Sequence, residues 1–401
     1  MPLYSFVAKS TQGQEKKGNK SAKNEIELAK ELKKDGYFLI SAKQKTKKRK
    51  QFFLNFNHVS LSDRLMATRN LEVMIGAGVS LPKALDVLAL QTKNKSFRSA
   101  LKSIEADILR GVALSDAFSK HPKIFPKIYS SMIKVAEKTG EMEKILDVLA
   151  VQTERSYNLR TKVKGAMVYP LVILATMIII GAIMMIKVVP QLSQTFTQLN
   201  VQLPATTRAV ISFSNFLSHY WFLAFFLLVL LFFLLKIISR TKKGKMFLHK
   251  FFLKIPLFSS LVKKINSAYA ALSLSTLIKG GVPIVSALGI ASDSVTNFYF
   301  KQSLLASAKR VEKGGKLSEA IARFPNLYSV IFIQMLKVGE ETGETSAMLE
   351  RLSNFLESQV DNTTKNLSSI IEPILLLFIG GAVGFFAISM IQPIYSIMQG
   401  I

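Results

Sequence analysis

Three long apolar runs constrain this chain more than anything else in it: Val168 to Val189, Tyr220 to Ile238 and Pro373 to Ile391. A helix of roughly 20 residues, rising about 1.5 Å per residue, spans the ~30 Å hydrocarbon core of a bilayer. Charge is nearly absent from the runs. Lys187 and Lys236 lie near their ends, where a long side chain reaches back to the headgroups. Core helices of soluble proteins are shorter and rarely apolar on every face. The runs therefore predict three transmembrane helices, at 168–189, 220–238 and 371–392.

Charge distribution orients them. The chain holds 53 Lys and Arg against 26 Asp and Glu, a net charge of +27. In a soluble protein that balance points to nucleic acid. Here 32 of the cations precede residue 168 and 18 fall within 240–366, whereas the segment from Gln191 to His219 has only Arg208. Cytoplasmic segments of membrane proteins keep Lys and Arg. Residues 1–167 and 240–366 are thus expected inside the cell, and the loop 190–219 and tail 393–401 outside. The expected address is the inner (cytoplasmic) membrane, crossed several times, with most of the mass in the cytoplasm. With no cysteine, disulfides, thiolate metal sites and Cys nucleophiles are excluded. Met1 to Lys17 lacks an apolar core, so no secretory signal peptide is expected.

A shift of 203 residues lays the chain on itself without a gap. Gly78-Val79 meets Gly281-Val282, and Ala84-Leu85 meets Ala287-Leu288. Gly111, Leu114, Ser115 and Ala117 meet Gly314, Leu317, Ser318 and Ala320, and Pro122 meets Pro325. The segment Lys134 to Glu141 meets Lys337 to Glu344, and Pro170 and Pro190 meet Pro373 and Pro393. One register held over about 120 residues is a duplication. Each copy is a cytoplasmic domain, 61–167 or 264–370, followed by one span. The middle span returns the chain to the cytoplasm, and a connector, 239–263, leads into copy two. The repeat is parallel, unlike the inverted repeats of many transporters.

Each copy reads as about six helices. In copy one, Ser62 to Ile75 stops at Gly76 and Gly78. Ser80 and Pro82 suit the start of the next helix. Others cover Ser96 to Leu109, Ser115 to Lys120 and Lys127 to Lys138. Gly140 suits the left-handed residue that ends a helix. The sixth begins near Glu141 and continues into the membrane. In copy two, Met348, Leu352, Phe355 and Gln359 are expected to share its buried face. Residues 1–45 differ, as a small α+β segment. Leu3 to Ala8 alternates like a strand, Thr11-Gln12-Gly13 is a turn, Lys23 to Lys34 is helical, and Tyr37 to Ala42 is a second strand. The run Lys43 to Lys50 opens a basic linker, 46–60, which reads first as a solvated tether and, functionally, as a contact for anionic lipid.

No catalytic constellation emerges, so no enzyme, cofactor or metal is expected. Gly13 to Lys20 approaches a phosphate loop, but Asn19 breaks it and a polar turn is the simpler reading. The histidines His58, His121, His219 and His249 are not spaced for metal on one helix face. Glu372 precedes Pro373 at the edge of the third run. Gly380 and Gly384 have the spacing at which helices pack closely in membranes.

The duplicated Val-x-Glu-x-Thr-Gly-Glu segment, the Gly-Val breaks at Gly78 and Gly281, the repeated prolines and the opening Tyr4-x-Phe6-x-Ala8 together resemble the GspF/PilC family. These are inner-membrane platform proteins of type II secretion and type IV pilus machines. The resemblance implies a homodimer or higher oligomer that couples a cytoplasmic hexameric ATPase to pilin or pseudopilin subunits, beside other inner-membrane assembly components. It implies no nucleic acid partner. A small transporter would need polar, broken spans, and a membrane-tethered nucleic-acid binder would need aromatics among its basic residues. The interaction residues expected are Glu137, Gly140, Glu141, Glu340, Gly343, Glu344, Glu372, Gly380 and Gly384. Glu137 and Glu340 lie in a helix's last turn, where a carboxylate is mildly unfavourable. That placement predicts basic partners on a neighbouring bundle or on the ATPase.

Overall fold

A computed structural model describes residues 3–10, 14–22, 24–44, 59–198 and 203–399. The turn at 11–13 and all of the linker 46–60 except Val59 and Ser60 lie outside them. The chain divides into two units, Met1–Asn57 and His58–Ile401.

In the first unit, strand β1 (Leu3–Ser10) is followed by β2 (Glu15–Ser21), helix α1 (Glu25–Lys34) and β3 (Tyr37–Gln44). The sheet order is β2-β1-β3, with both pairings antiparallel. Tyr4, Phe6 and Ala8 alternate onto one face and bury against Leu28 and Leu32 of α1. Asn24 starts α1 by accepting the Glu27 N–H at 2.9 Å. The segment read as a polar turn or phosphate loop is instead strand β2. It lacks apolar alternation, and Gly18 lies beneath the Phe6 ring, where an added Cβ would sit 3.0 Å from Phe6 Cζ.

The second unit is helical. Copy one comprises α2 (Leu61–Gly76), α3 (Leu81–Gln91), α4 (Lys95–Leu109), α5 (Leu114–Ser119), α6 (Lys127–Thr139) and α7 (Met142–Ile183). A π-helical turn, Met184–Val188, leads into α8 (Val189–Gln198). Then come α9 (Ala205–His219), α10 (Trp221–Arg240) and α11 (Lys242–Lys254). Copy two comprises α12 (Pro256–Lys279), α13 (Ile284–Ala291), α14 (Phe298–Glu312), α15 (Leu317–Ala322), α16 (Val330–Thr342) and α17 (Thr345–Gln399). Helices α4, α5, α6 and α7 start 203 residues before α14, α15, α16 and α17.

Local chemistry accounts for several boundaries. Ser60 and Asp63 form a reciprocal capping box at the start of α2. Ser80 occupies the corresponding place before α3 but makes no side-chain cap; Pro82 in the first turn sets the start instead.

The first helix of each copy packs along the last, α2 on α7 and α12 on α17, and the two long helices pack on each other. One core runs through both copies. Across the join, Arg155 reaches Glu357 at 2.6 Å and Ser353 at 3.0 Å. Met132 of α6 lies so close to Gly280 that a methyl there would overlap its sulfur. The buried stripe of α17 is Leu349, Leu352, Leu356 and Val360. Phe355, expected on that stripe, is 43% exposed, because the buried face is set by α12 and α7 together.

Among the described residues two helical segments are long and apolar enough to cross a membrane, Met142–Gln198 and Thr345–Pro393. Pro170 and Pro373 lie inside these helices rather than at their starts. The third apolar run forms α10, a 20-residue helix. The segment read as an external loop is mostly helix, α8 and α9. With Met390 of α17 it buries Val189, Phe196, Val210 and Ile211 in a small cluster of its own.

Candidate functional site: two acid-capped turns

Each bundle contains a short helix that begins without a side-chain cap. Ala113 precedes α5 and Lys316 precedes α15, and neither residue offers an acceptor. Gly111 and Gly314, at φ 84° and 86°, turn the chain sharply into these starts. Free N–H groups then point out of each helix end, carrying the positive end of its dipole. A glutamate from the following helix fills the gap. Glu137 of α6 accepts from the backbone N–H of Leu114 and of Ser115, and from Ser115 Oγ at 2.5 Å. Glu340 of α16 accepts from Leu317 N at 2.5 Å and Ser318 N at 2.9 Å.

This geometry explains a carboxylate held in a last turn. What it loses against its own helix dipole is offset by charge-assisted bonds to a second helix's N-terminus. The charge meets backbone N–H groups of its own copy, where basic side chains were expected. Leu114, Ser115, Leu317 and Ser318 are the neighbours of these glutamates that the chemistry of single residues missed. Their identity at the same 203-residue offset was the available signal.

Three residues beyond each glutamate, Gly140 and Gly343 end α6 and α16 at φ 77° and 75°. An L side chain is strained there, so glycine is what permits the reversal into α7 and α17. Glu141 sits just before α7 and pairs with Lys144 at 3.1 Å. Glu344 sits just before α17, its N–H on Thr342 Oγ1 at 3.4 Å. Both are exposed, as is Glu137, whereas Glu340 is half-buried. Glu340 lines a depression of about 540 Å³ together with Lys316, Ser318, Ile333, Lys337 and Glu341.

The membrane-facing candidates lie apart from these turns, on α17. Glu372 is exposed. A Cβ placed on Gly380 or Gly384 would meet no atom within 4 Å, so none of the described residues fills that face. Among the described residues no group of His, Cys, Asp and Glu is arranged to hold a metal.

A duplicated helical bundle whose last helix becomes an apolar segment defines a class of membrane-associated repeat proteins. Comparison with known proteins makes that specific. The family described as type II secretion system (T2SS) protein F matches residues 67–190 and again 270–393, and the N-terminal domain of that family matches 1–43. The two matches stand 203 residues apart, the register of the duplication. The chain is 30% identical over 399 residues to type IV pilus assembly protein PilC of Myxococcus xanthus, covering 99% of this chain and 95% of that protein. It is 31% identical over 401 residues to PilC of Thermus thermophilus, covering 99% and 98%. Type II secretion system protein F of Vibrio cholerae is 26% identical over 398 residues, covering 98% of each. The chain belongs to the type II secretion system protein F family, which bears out the GspF/PilC resemblance.

Proposed function

We propose that this chain is a non-enzymatic platform protein in the inner membrane of a type IV pilus or type II secretion machine. One observation carries the reading: the last helix of each bundle continues without a break into a segment able to cross a bilayer. Movement imposed on a bundle is thereby passed into the membrane along helix, with no loop between them. The relatives named for pilus assembly and secretion support the setting.

In this reading α10 is a third crossing, supported by its length, its apolar composition up to Lys236 and the exposure of its described apolar side chains. The bundles lie in the cytoplasm, consistent with their Lys and Arg. There they take up motion from a hexameric assembly ATPase, which supplies the hydrolysis. The spans act on pilin or pseudopilin subunits, alongside other inner-membrane assembly components. The open Gly380–Gly384 face supports a homodimer or higher oligomer. The acidic turns at Glu137–Glu141 and Glu340–Glu344, with Glu372, are candidate contacts for these partners, and the Lys43–Lys50 run for anionic lipid.

Two experiments test this. A reporter active only outside the cytoplasm should work when fused after Thr206 and be silent after Lys264; the reverse pattern overturns the orientation. Three glycines inserted after Lys164 should leave topology intact yet abolish pilus assembly or secretion in cells lacking the native copy. Normal assembly with that insertion would remove the mechanical reading.

A further inference from the structure

Helix α11 follows α10 after a single residue, Thr241, whose side chain accepts from the Gly244 N–H at 3.1 Å. The elbow is tight: a methyl at Gly244 would overlap the Ile238 carbonyl. The first turn of α11 is therefore held level with the last apolar turn of α10. The rest of α11 is fixed from one side only. His249 Nδ1 accepts from the Phe298 N–H of α14 at 2.8 Å, and the Phe252 ring packs near Phe258 of α12.

The opposite side is unlike an ordinary solvated face. Lys243, Phe247, Lys250, Phe251 and Lys254 recur at spacings of three and four, which places them on one side of the helix. All five are exposed, Phe247 by 69% and Phe251 by 50%. Two bare phenyl rings among lysines have no solvent rationale. They match an interface where rings enter the acyl boundary and ammonium groups stay with the phosphates. The sign of the charge agrees: the sequence has no Asp or Glu between Glu154 and Asp293. Among the described residues no carboxylate forms an ion pair with these lysines, and a leaflet of anionic lipid attracts each of them.

We propose that α11 is an interfacial helix lying on anionic lipid of the cytoplasmic leaflet, with Phe247 and Phe251 inserted and Lys243, Lys250 and Lys254 on the headgroups. The inference rests on the reading of α10 as a span. It gives copy two a second attachment to the membrane, beside its spanning helix, through the contacts of α11 with α12 and α14.

The absence of cysteine makes site-directed spin labelling clean. Full-length Phe247→Cys, Leu230→Cys and Leu109→Cys are labelled and placed in nanodiscs of phosphatidylcholine with or without phosphatidylglycerol. Collision with oxygen and with an aqueous nickel chelate is then measured. The label at 230 reports the span and the label at 109 reports water. At 247 the label should lose nickel accessibility several-fold when phosphatidylglycerol is present. Adding K243Q, K250Q and K254Q should restore it, by about fivefold in partitioning per lysine removed. The inference is overturned if 247 matches 109 in both lipids while 230 stays in hydrocarbon. It is equally overturned if 247 is shielded without phosphatidylglycerol and only at two chains per disc, since a second copy then covers the face. Nickel accessibility at 230 would instead overturn the span, and this inference with it.

Discussion

The two bundles share a backbone but solve the same core problem with different atoms. In copy one, Phe97, Phe118, Phe125 and Tyr129 cluster; the matching positions in copy two are Phe300, Ile321, Tyr328 and Phe332. The single tyrosine has changed place, and its partner has moved with it. Tyr129 Oη donates to Thr68 at 2.8 Å, while Ala100 occupies the position matching Ser303. Tyr328 Oη lies 2.9 Å from Ser303 Oγ, while Ala271 occupies the position matching Thr68. Burial pushes the Tyr129 hydroxyl up to about 12 and raises that of Tyr328 as well. A buried hydroxyl needs a partner, so the pair is conserved as a unit even where the positions are not. The glutamate caps and left-handed glycines, by contrast, stay in place in both copies. Backbone demands hold their positions across the copies, whereas packing partners move.

Outer surfaces diverge further. Ile128 is 5% exposed, but its counterpart Ile331 is 43% exposed beside Val330 at 73%. Lys138 of copy one becomes Glu341 in copy two. The frame that holds the acidic turn is common, and the surface around it is not.

The largest effect should come from cutting the link between the copies. Arg155→Ala strands the Glu357 carboxylate, whose side chain is 22% exposed. Loss of a fully buried partner costs about 3–5 kcal/mol; about 2–3 kcal/mol is expected here. Hydrogen exchange on the full-length protein should show faster opening in both α7 and α17. An effect confined to α7 would mean that the copies are energetically independent.

The migrating hydroxyl pair comes next. Thr68→Val should cost about 1–3 kcal/mol by leaving Tyr129 Oη unpaired, and adding Tyr129→Phe should recover most of it. Ser303→Ala and Tyr328→Phe should behave alike in copy two. Failure of the double variants to recover would show that hydroxyl pairing does not set these costs.

Smaller still is the loss of the caps. Glu340→Gln and Glu137→Gln keep shape but remove charge, worth about 1 kcal/mol. Exchange at Leu317 and Ser318 should rise more than at Leu114 and Ser115, because Glu340 is the less exposed of the two. Equal rises would show that exposure does not weight the caps.

The smallest effect concerns His249 of the connector helix α11, which packs on copy two. Burial, with Lys245 nearby, lowers it below its ordinary 6.5. The unfolded chain therefore takes up the proton first. The α11–α14 junction has its full stability above about pH 6.5 and loses it as pH falls through the folded value. Exchange at the Phe298 amide, corrected for intrinsic rate, should quicken between pH 7 and pH 5; a flat response would mean that protonation is accommodated.

The helical class, the duplication and its register were legible because they rest on long patterns: runs of about 20 apolar residues, identities at one offset, and glycines at helix ends. Short-range chemistry was legible in part. Gly140 and Gly343 announce their roles in the sequence, but the Ser60 cap was missed, and β2 is hidden because its place is secured by Gly18 under a phenyl ring rather than by alternation. The partner of Glu137 lies 22 and 23 residues away, and no local rule links a last-turn carboxylate to another helix's first turn. Arg155 and Glu357 were invisible for a different reason. Their counterparts under the repeat are Ser358 and Glu154, so a contact between copies leaves no trace in what the copies share.

The helix from Thr345 to Gln399 has 55 residues, a beam of about 80 Å at 1.5 Å per residue. Its copy-one counterpart, from Met142, keeps helical backbone to Gln198 through one π turn. Tilting such a beam by about 5° about one end swings the other by roughly 7 Å, more than the 5.4 Å pitch of a helix. Neither beam is uniformly stiff. Pro170 and Pro373 each delete one backbone hydrogen bond, at the same place in both copies and where the apolar stretch begins. A load on the bundles bends both beams most readily at that shared height. The stroke delivered beyond it depends on how far two prolines yield.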